Sequence, residues 1–367
     1  MTLKSLPPVY FNILSVGQTA TQWFVSALSR HPEVVVGHAA ELLHTAINRN
    51  VPRRNSGLGP DRHEANRTAH LLSNYTIDQL YAVLEARYSG KAYGLIHLFQ
   101  TTSYLASVAK NRPARGLRLF NMVRHPVNRH NSIFHHWLKT AAAGNEYFLS
   151  VIDEVFGNPH TQASFAKEQQ AYGLHATDLP TRCWYACLGY VEYFARDLRD
   201  FPGTRRDVIE MERLVTDADY FRMVMRRCVG PSLVIDADFV EQALKAAPLN
   251  SHSGGRLTSP DQILASWTPW QRDSFLRHAD SFAIGEVYRD IYPDVASLCS
   301  RGLSLWSQSS PEAKKAGGGK SVLAGLAAIC RAMLLAIAAI TDCVSVERNS
   351  RNASWATRLS RNNPPSL

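Results

Sequence analysis

The stretch VYFNILSVGQTATQWFVSALSRHP, residues 9–32, predicts the fold. Residues 9–17 form an apolar run of strand length that is rich in β-forming side chains and ends at a glycine. Residues 19–32 then indicate a helix, which Thr19 or Thr21 can cap and which ends at a proline. A strand, a tight turn and a helix N-terminus together favour an anion site, because unpaired backbone N–H groups point outward there.

The turn itself reads GQTATQW, residues 17–23. It lacks the lysine of the phosphate loop GxxxxGK[ST], which disfavours a nucleoside triphosphatase of the Walker type. Taken alone, the turn is equally consistent with a plain helix start capped by a hydroxyl group. The rest of the chain must decide between these interpretations.

Strands and helices alternate along the chain. Further strands are predicted at 33–38, 92–99, 116–123 and 205–214, the last running into a turn, and helices at 41–47, 77–88, 103–111, 129–139, 181–201, 217–229 and 263–282. Residues 140–181 are ambiguous, because no single periodicity dominates them. This alternation predicts an α/β protein with a central parallel sheet flanked by helices.

Composition and charge indicate the kind of partner. The 367 residues carry 40 Lys and Arg against 31 Asp and Glu, a formal charge of +9. That balance favours a nucleotide, an acidic glycan, nucleic acid or a membrane surface. No basic helix or aromatic RNA motif is found, so nucleic acid is not expected as a partner. No histidine and cysteine spacing typical of a metal site occurs either.

Domain organisation and location follow from composition along the chain. We predict an α/β domain over 1–300, a flexible linker over 301–320, and an apolar helix with a basic polar tail over 321–367. Residues 321–341 suggest a peripheral membrane or partner contact, because Arg331 would be costly in a spanning helix. No signal peptide opens the sequence, so we expect a cytoplasmic protein in which the six cysteines are reduced, buried thiols.

A second stretch, RLFNMVRHPVNRHNSIFHHW, residues 118–137, adds a basic group to the expected site. Arg124 ends a predicted strand, and Ser132 follows eight residues later within a helix. Ligands of open parallel sheets bind beyond the carboxyl ends of the strands. Arginine can grip a phosphate with two hydrogen bonds, and serine can add one. The alternative interpretation is a helix cap beside a surface arginine.

Together these stretches resemble the sulfotransferase family that uses 3′-phosphoadenosine 5′-phosphosulfate (PAPS). The family's 5′-phosphosulfate loop has the form PKSGTTW, and its 3′-phosphate motif is R-D-P followed by a serine eight residues after the arginine. The resemblance covers about residues 9–295 and implies the P-loop-like architecture of that family. It implies cofactor contacts from Gln18, Thr19, Ala20, Thr21, Gln22, Trp23, Arg124 and Ser132, and from Gly255 and Arg256 in the closing loop LNSHSGGRLTSP.

The same resemblance places a catalytic glutamate near the second strand. The matching residue is Glu41, which would remove the acceptor's proton. His38 and His44, three residues to either side and expected on one helical face, are alternative bases. His97, within a predicted buried strand, is expected to be a core residue.

Four departures from the family pattern weaken catalysis more than binding. The loop lysine is replaced by Gln18, the loop glycine by Ala20, the basic residue before the glutamate by Ala40, and the aspartate after the arginine by His125. The expected function is metal-independent transfer of the sulfuryl group from PAPS to a hydroxyl or amine of a carbohydrate or small molecule. Adenosine 3′,5′-bisphosphate is the expected product. The alternative is a nucleotide-binding protein on the same fold with weak or no transferase activity.

Overall fold

A parallel β-sheet forms the centre of the part of the chain that the computed structural model describes, residues 7–15, 19–38, 77–98, 116–231, 233–245 and 258–298. Within these ranges the sheet has five strands in the order β2-β3-β1-β4-β5, and every neighbouring pair is parallel. The predicted α/β class with a central parallel sheet is therefore confirmed. The strands are β1 Val9–Leu14, β2 Val34–His38, β3 Ala92–Leu98, β4 Arg118–Val123 and β5 Val208–Glu210.

Helices connect and cover these strands. In the described ranges they are α1 Thr21–Leu28, α2 Ile77–Arg87, α3 Pro126–Ala142, α4 Glu146–Phe156, α5 Pro159–Tyr172, α6 Leu179–Arg199, α7 Met211–Thr216, α8 Ala218–Val229, α9 Ala237–Lys245, α10 Pro260–Ser266, α11 Pro269–Ser281 and α12 Ile284–Val287.

Both faces of the sheet are buried, which explains why its strands are apolar almost throughout. Alternate residues of β1 point to opposite faces. Phe11 and Ile13 join one core cluster with α1, α8 and α9. Tyr10 and Leu14 join the other cluster with α2, α3 and α6. The result is a three-layer arrangement with one layer of helices on each side of the sheet.

Several element boundaries differ from the prediction. Helix α3 begins at Pro126 and not at 129, because proline at the first helical position has no N–H to leave unpaired. The expected helix over 263–282 is two helices, because Thr268 caps a new helix that begins at Pro269. The ambiguous region 140–181 holds α4 and α5, and the strand at 205–214 leads into helix α7.

Some expectations fall outside the described residues: the helices at 41–47 and 103–111, the linker and the C-terminal segment. The domain division and the contact through 321–341 therefore stay predictions. In the described ranges, Cys183, Cys187 and Cys228 are buried free thiols, as expected. None of the helices searched there combines the length and apolarity that a membrane crossing requires.

The sheet extends to one side of β1 through β3 and β2 and to the other side through β4 and β5. Strand β1 leads into α1 on one face, whereas β4 leads into α3 on the other face. Neighbouring strands whose connections leave on opposite faces open a crevice beyond their carboxyl ends, and ligands of such sheets bind there. Ala20, at the start of α1, and Arg124, directly after β4, lie on the carboxyl side of these two strands.

Candidate functional site

The residue that precedes helix α1 adopts a left-handed conformation that the sequence did not predict. Ala20 caps helix α1 with φ 54° and ψ 26°, and no side chain makes a capping hydrogen bond. The predicted cap by Thr19 or Thr21 is therefore wrong. The Thr19 hydroxyl is fully buried and pairs with that of Ser15 at 2.5 Å, and Thr21 already lies within the first helical turn.

This left-handed residue occupies the position where the family pattern has glycine. Alanine in that region costs about 1 kcal/mol relative to glycine, so the surrounding structure must hold the turn in place. Successive N–H groups around a left-handed residue at a helix start form a concave anion site. The start of α1 therefore has a backbone conformation that can accept an anion, although glycine is absent.

Trp23 is placed in the core and not on the open side of the turn. Its side chain is 1% exposed and packs against Phe24 and against Phe221, with ring centroids 6.1 and 5.9 Å away. The neighbouring Gln22 is exposed. Of the loop residues predicted to bind cofactor, Gln18 lies outside the described residues.

Two histidines meet where β2 and β3 end. The Thr21 hydroxyl oxygen lies 3.2 Å from Nε2 of His38, and the rings of His38 and His97 stack with centroids 4.6 Å apart. His97 has φ 70° where the pairing of β1 with β3 shifts register. Burial, reinforced by His38 and then by the charge of Arg129, lowers the pKa of His97 to about 3, so this imidazole is neutral.

The surroundings of these two histidines could be predicted from the sequence only in part. His38 is the last residue of strand β2 and therefore does not lie on the predicted helical face. His97 is buried, as expected of a core residue, yet its ring contacts the candidate base. The adjacency of β2 and β3 could not be read from either strand alone. The predicted base Glu41 and the alternative His44 lie outside the described residues.

Arg124 follows β4 directly, as predicted, and Ser132 lies within α3. The Arg124 side chain is 16% exposed, and its Nε lies 3.8 Å from Oε1 of Glu212. Burial lowers the pKa of Arg124, and the charge of Glu212 opposes that shift. Sequence reasoning missed Glu212, although an acidic residue just after the strand beside β4 was a usable signal.

His125 is the N-terminal cap of helix α3. Its Nδ1 accepts a hydrogen bond from the Val127 N–H at 3.3 Å, and its Nε2 lies 3.3 Å from Oδ2 of Asp294. Burial lowers the pKa of His125, and Asp294 opposes that shift. The family's aspartate is therefore replaced by a residue that still accepts the capping hydrogen bond.

The remaining predicted cofactor contacts, Gly255 and Arg256, lie outside the described residues. Across the ranges that the structure describes, no group of three His, Cys, Asp or Glu side chains could hold a metal ion.

Comparison with known proteins adds structural likenesses only, since neither a protein-family model nor a curated protein matches the chain. Three solved structures are similar. A mouse sulfotransferase, SULT7A1, complexed with PAP is 12% identical, with a TM-score of 0.42 over 79% of this chain and 88% of that one. A sulfotransferase from Alicyclobacillus acidocaldarius is 18% identical, with a TM-score of 0.33 over 76% and 96%. The sulfotransferase domain of the curacin biosynthetic pathway is 11% identical, with a TM-score of 0.36 over 76% and 98%.

All three are sulfotransferases, the family that the sequence motifs resemble. Their TM-scores lie below 0.5, so these likenesses carry no argument about activity.

Proposed function

We propose that this protein is a PAPS-dependent sulfotransferase acting on a hydroxyl or amine of a carbohydrate or small molecule. One observation carries the proposal: a left-handed turn at the start of α1 and a partly buried arginine flank the crevice between β1 and β4. These two donor groups suit a ligand with two separate anionic ends. PAPS is such a ligand, and when bound it supplies the sulfuryl group.

In this proposal the backbone N–H groups of residues 19–22 hold the 5′ anionic end, and Arg124 with Ser132 holds the 3′-phosphate. A fixed set of donors stabilises charge that develops during transfer, which is the largest contribution in most such reactions. The proposal assigns to these backbone donors, beside the left-handed Ala20, the contacts that the family makes with its loop lysine.

His38 is the base that we favour within the described residues. Its ring takes the proton that the acceptor group loses when its oxygen or nitrogen bonds to sulfur. The bond between sulfur and the bridging phosphate oxygen of PAPS breaks in the same step, and adenosine 3′,5′-bisphosphate leaves. The Thr21 hydroxyl at 3.2 Å and the stacked ring of His97 fix its orientation. Because His97 is neutral, it adds no positive charge that would weaken His38 as a proton acceptor.

A binding protein without transferase activity is the second proposal. One observation favours it: Gln18 stands where the family has a cation that neutralises the leaving group. Binding and transfer must therefore be measured separately.

Calorimetric titration with adenosine 3′,5′-bisphosphate tests the shared part of both proposals. We expect wild type to bind and Arg124→Ala to lose about a hundredfold in affinity, because a charge-assisted pair of hydrogen bonds is removed. Arg30→Ala is the matched control. Arg30 is exposed, lies just beyond the far end of α1, and donates to the Gln242 carbonyl at 2.7 Å.

Absence of binding by folded wild type, or equal losses in Arg124→Ala and Arg30→Ala, would contradict the proposal. If binding is found, sulfate transfer to a panel of hydroxyl and amine acceptors separates the two alternatives. Activity that His38→Gln removes without changing nucleotide affinity supports the enzyme. Binding without transfer to any acceptor supports the second proposal.

A further inference from the structure

Glu212 is the hub of a hydrogen-bond network beneath Arg124. Its Oε1 accepts from the backbone N–H of His125 and from Nδ2 of Asn128, each at 3.1 Å. Its Oε2 accepts from the hydroxyl of Tyr292 at 2.5 Å. One carboxylate therefore connects the turn after β4, the start of α3 and the segment after α12.

These contacts leave Glu212 little freedom to rotate. Two donors at the start of α3 and one from the segment after α12 hold both carboxylate oxygens. Burial, and then the charge of Glu212, raise the pKa of Tyr292 well above its ordinary value, so the phenol stays a donor at neutral pH. A carboxylate held in one position restricts the charged side chain beside it. That side chain then loses less conformational freedom when a ligand binds.

The fixed carboxylate approaches Arg124 from its Nε side, at 3.8 Å. An arginine oriented through Nε can present its two terminal nitrogens as a fork to a phosphate. Arginine otherwise loses rotamer entropy when it binds, and a partner that restricts it beforehand removes part of that cost. The network is thus suited to prearranging Arg124 for one anion.

We infer that Tyr292 is a positioning residue for recognition of the 3′-phosphate. It acts through Glu212 on Arg124. This inference rests on the proposed function, because it assigns the ligand of Arg124 as the 3′-phosphate of an adenosine nucleotide. Its consequence is that discrimination between nucleotides with and without that phosphate depends on a tyrosine from the segment after α12.

The test compares two ligands that differ only in the 3′-phosphate: adenosine 3′,5′-bisphosphate and adenosine 5′-monophosphate. The variant is Tyr292→Phe, which keeps the ring beside His125 and Tyr288 but removes the hydroxyl group. We expect bisphosphate affinity to fall about tenfold, the effect of one hydrogen bond to a charged group. Monophosphate affinity should change less than twofold.

Tyr288→Phe is the matched control. Tyr288 is also buried, stacks on Tyr292 with ring centroids 6.2 Å apart, and directs its hydroxyl to the Phe194 carbonyl at 3.3 Å. A general loss of packing would affect both ligands in both variants. A positioning role predicts a loss confined to the bisphosphate and to Tyr292→Phe.

The outcomes separate this inference from the proposed function. A loss of affinity for the bisphosphate alone in Tyr292→Phe supports the inference. An unchanged ratio of the two affinities overturns the inference but leaves the proposed function intact. Binding of neither nucleotide by folded wild type overturns both. If Tyr292→Phe does not fold by circular dichroism, Asn128→Ala removes a different donor to Glu212 and must give the same selective loss.

Discussion

Two arginine–carboxylate pairs, whose arginines are five residues apart on the chain, lie in different surroundings. Arg124 and Glu212 approach to 3.8 Å with side chains 16% and 20% exposed. Arg129 and Asp197 approach to 4.0 Å with both side chains fully buried. The distances are nearly equal, so burial is the difference between a pair that an anion can reach and one that it cannot.

The inner pair shows what full burial does to such groups. The guanidinium of Arg129 lies 4.6 Å from the ring centroid of Phe194. Burial raises the pKa of Asp197 to about 7 even though Arg129 opposes the shift. An arginine that the sequence predicts as a ligand-binding residue can bind a ligand only where the fold leaves its side chain accessible. The inner pair instead joins α3 to α6.

The strongest test of this contrast makes the same substitution at both arginines. We expect Arg129→Met to lower the free energy of unfolding by about 3–5 kcal/mol, because Asp197 would remain buried without its partner. Arg124→Met should cost less than half as much, since water can solvate the carboxylate that remains. Urea unfolding monitored by fluorescence measures both.

The double variant Arg129→Met, Asp197→Leu provides the control for that experiment. Removing both charges should recover most of the lost stability, because apolar pairs of similar volume replace buried ion pairs well. Equal destabilisation by the two single arginine variants would contradict the contrast between the inner and outer pairs.

The pH dependence of stability tests the inner pair in a second way. The folded pKa of Asp197, about 7, lies above its ordinary value of 3.8, so its contribution to stability is fully present below 3.8 and is lost as pH rises through 7. Between pH 5 and 8 the stability difference between wild type and Asp197→Asn should therefore change by about 2 kcal/mol. The charged and titratable groups facing Asp197 are Arg129, Arg196, Asp200 and Tyr288.

Urea unfolding of both proteins at pH 5, 6, 7 and 8 gives this difference directly. Because Asn does not titrate, groups that are common to both proteins cancel. A difference that stays constant with pH would show that Asp197 remains ionised in the folded protein.

The smallest expected effect concerns the outer site. Ser132→Ala should weaken binding of adenosine 3′,5′-bisphosphate by about threefold to tenfold, the loss of one hydrogen bond, with stability unchanged within about 0.5 kcal/mol. Calorimetric titration beside thermal unfolding measures both quantities. A stability loss without an affinity loss would make Ser132 a structural residue of α3.

Much of the fold could be predicted from the sequence because its signals are local. The apolar run at 9–14 and the helical pattern from 21 to 28 each show their own periodicity, and Arg124 ends a strand that is visible as a continuous apolar segment. Parallel pairing follows from their alternation with helices. These features need only neighbouring residues to be recognised.

The candidate site could be predicted only in part, because its partners come from distant segments. The sequence placed Arg124 and His38 at strand ends, but it did not indicate Glu212, 88 residues beyond Arg124, or the contact of His97 with His38. It also assigned the helix cap to a threonine, whereas the turn places Ala20 there in a left-handed conformation.

The sequence by itself determined which residue types stand at the carboxyl ends of the strands, since side-chain periodicity and strand length are local properties. Only the tertiary structure decided which of those residues are neighbours and which remain accessible. Strand order brings β4 beside β1 and β5, and packing seals Arg129 while leaving Arg124 at the edge. Burial sets the strength of a charge interaction, and burial is a property of the whole fold.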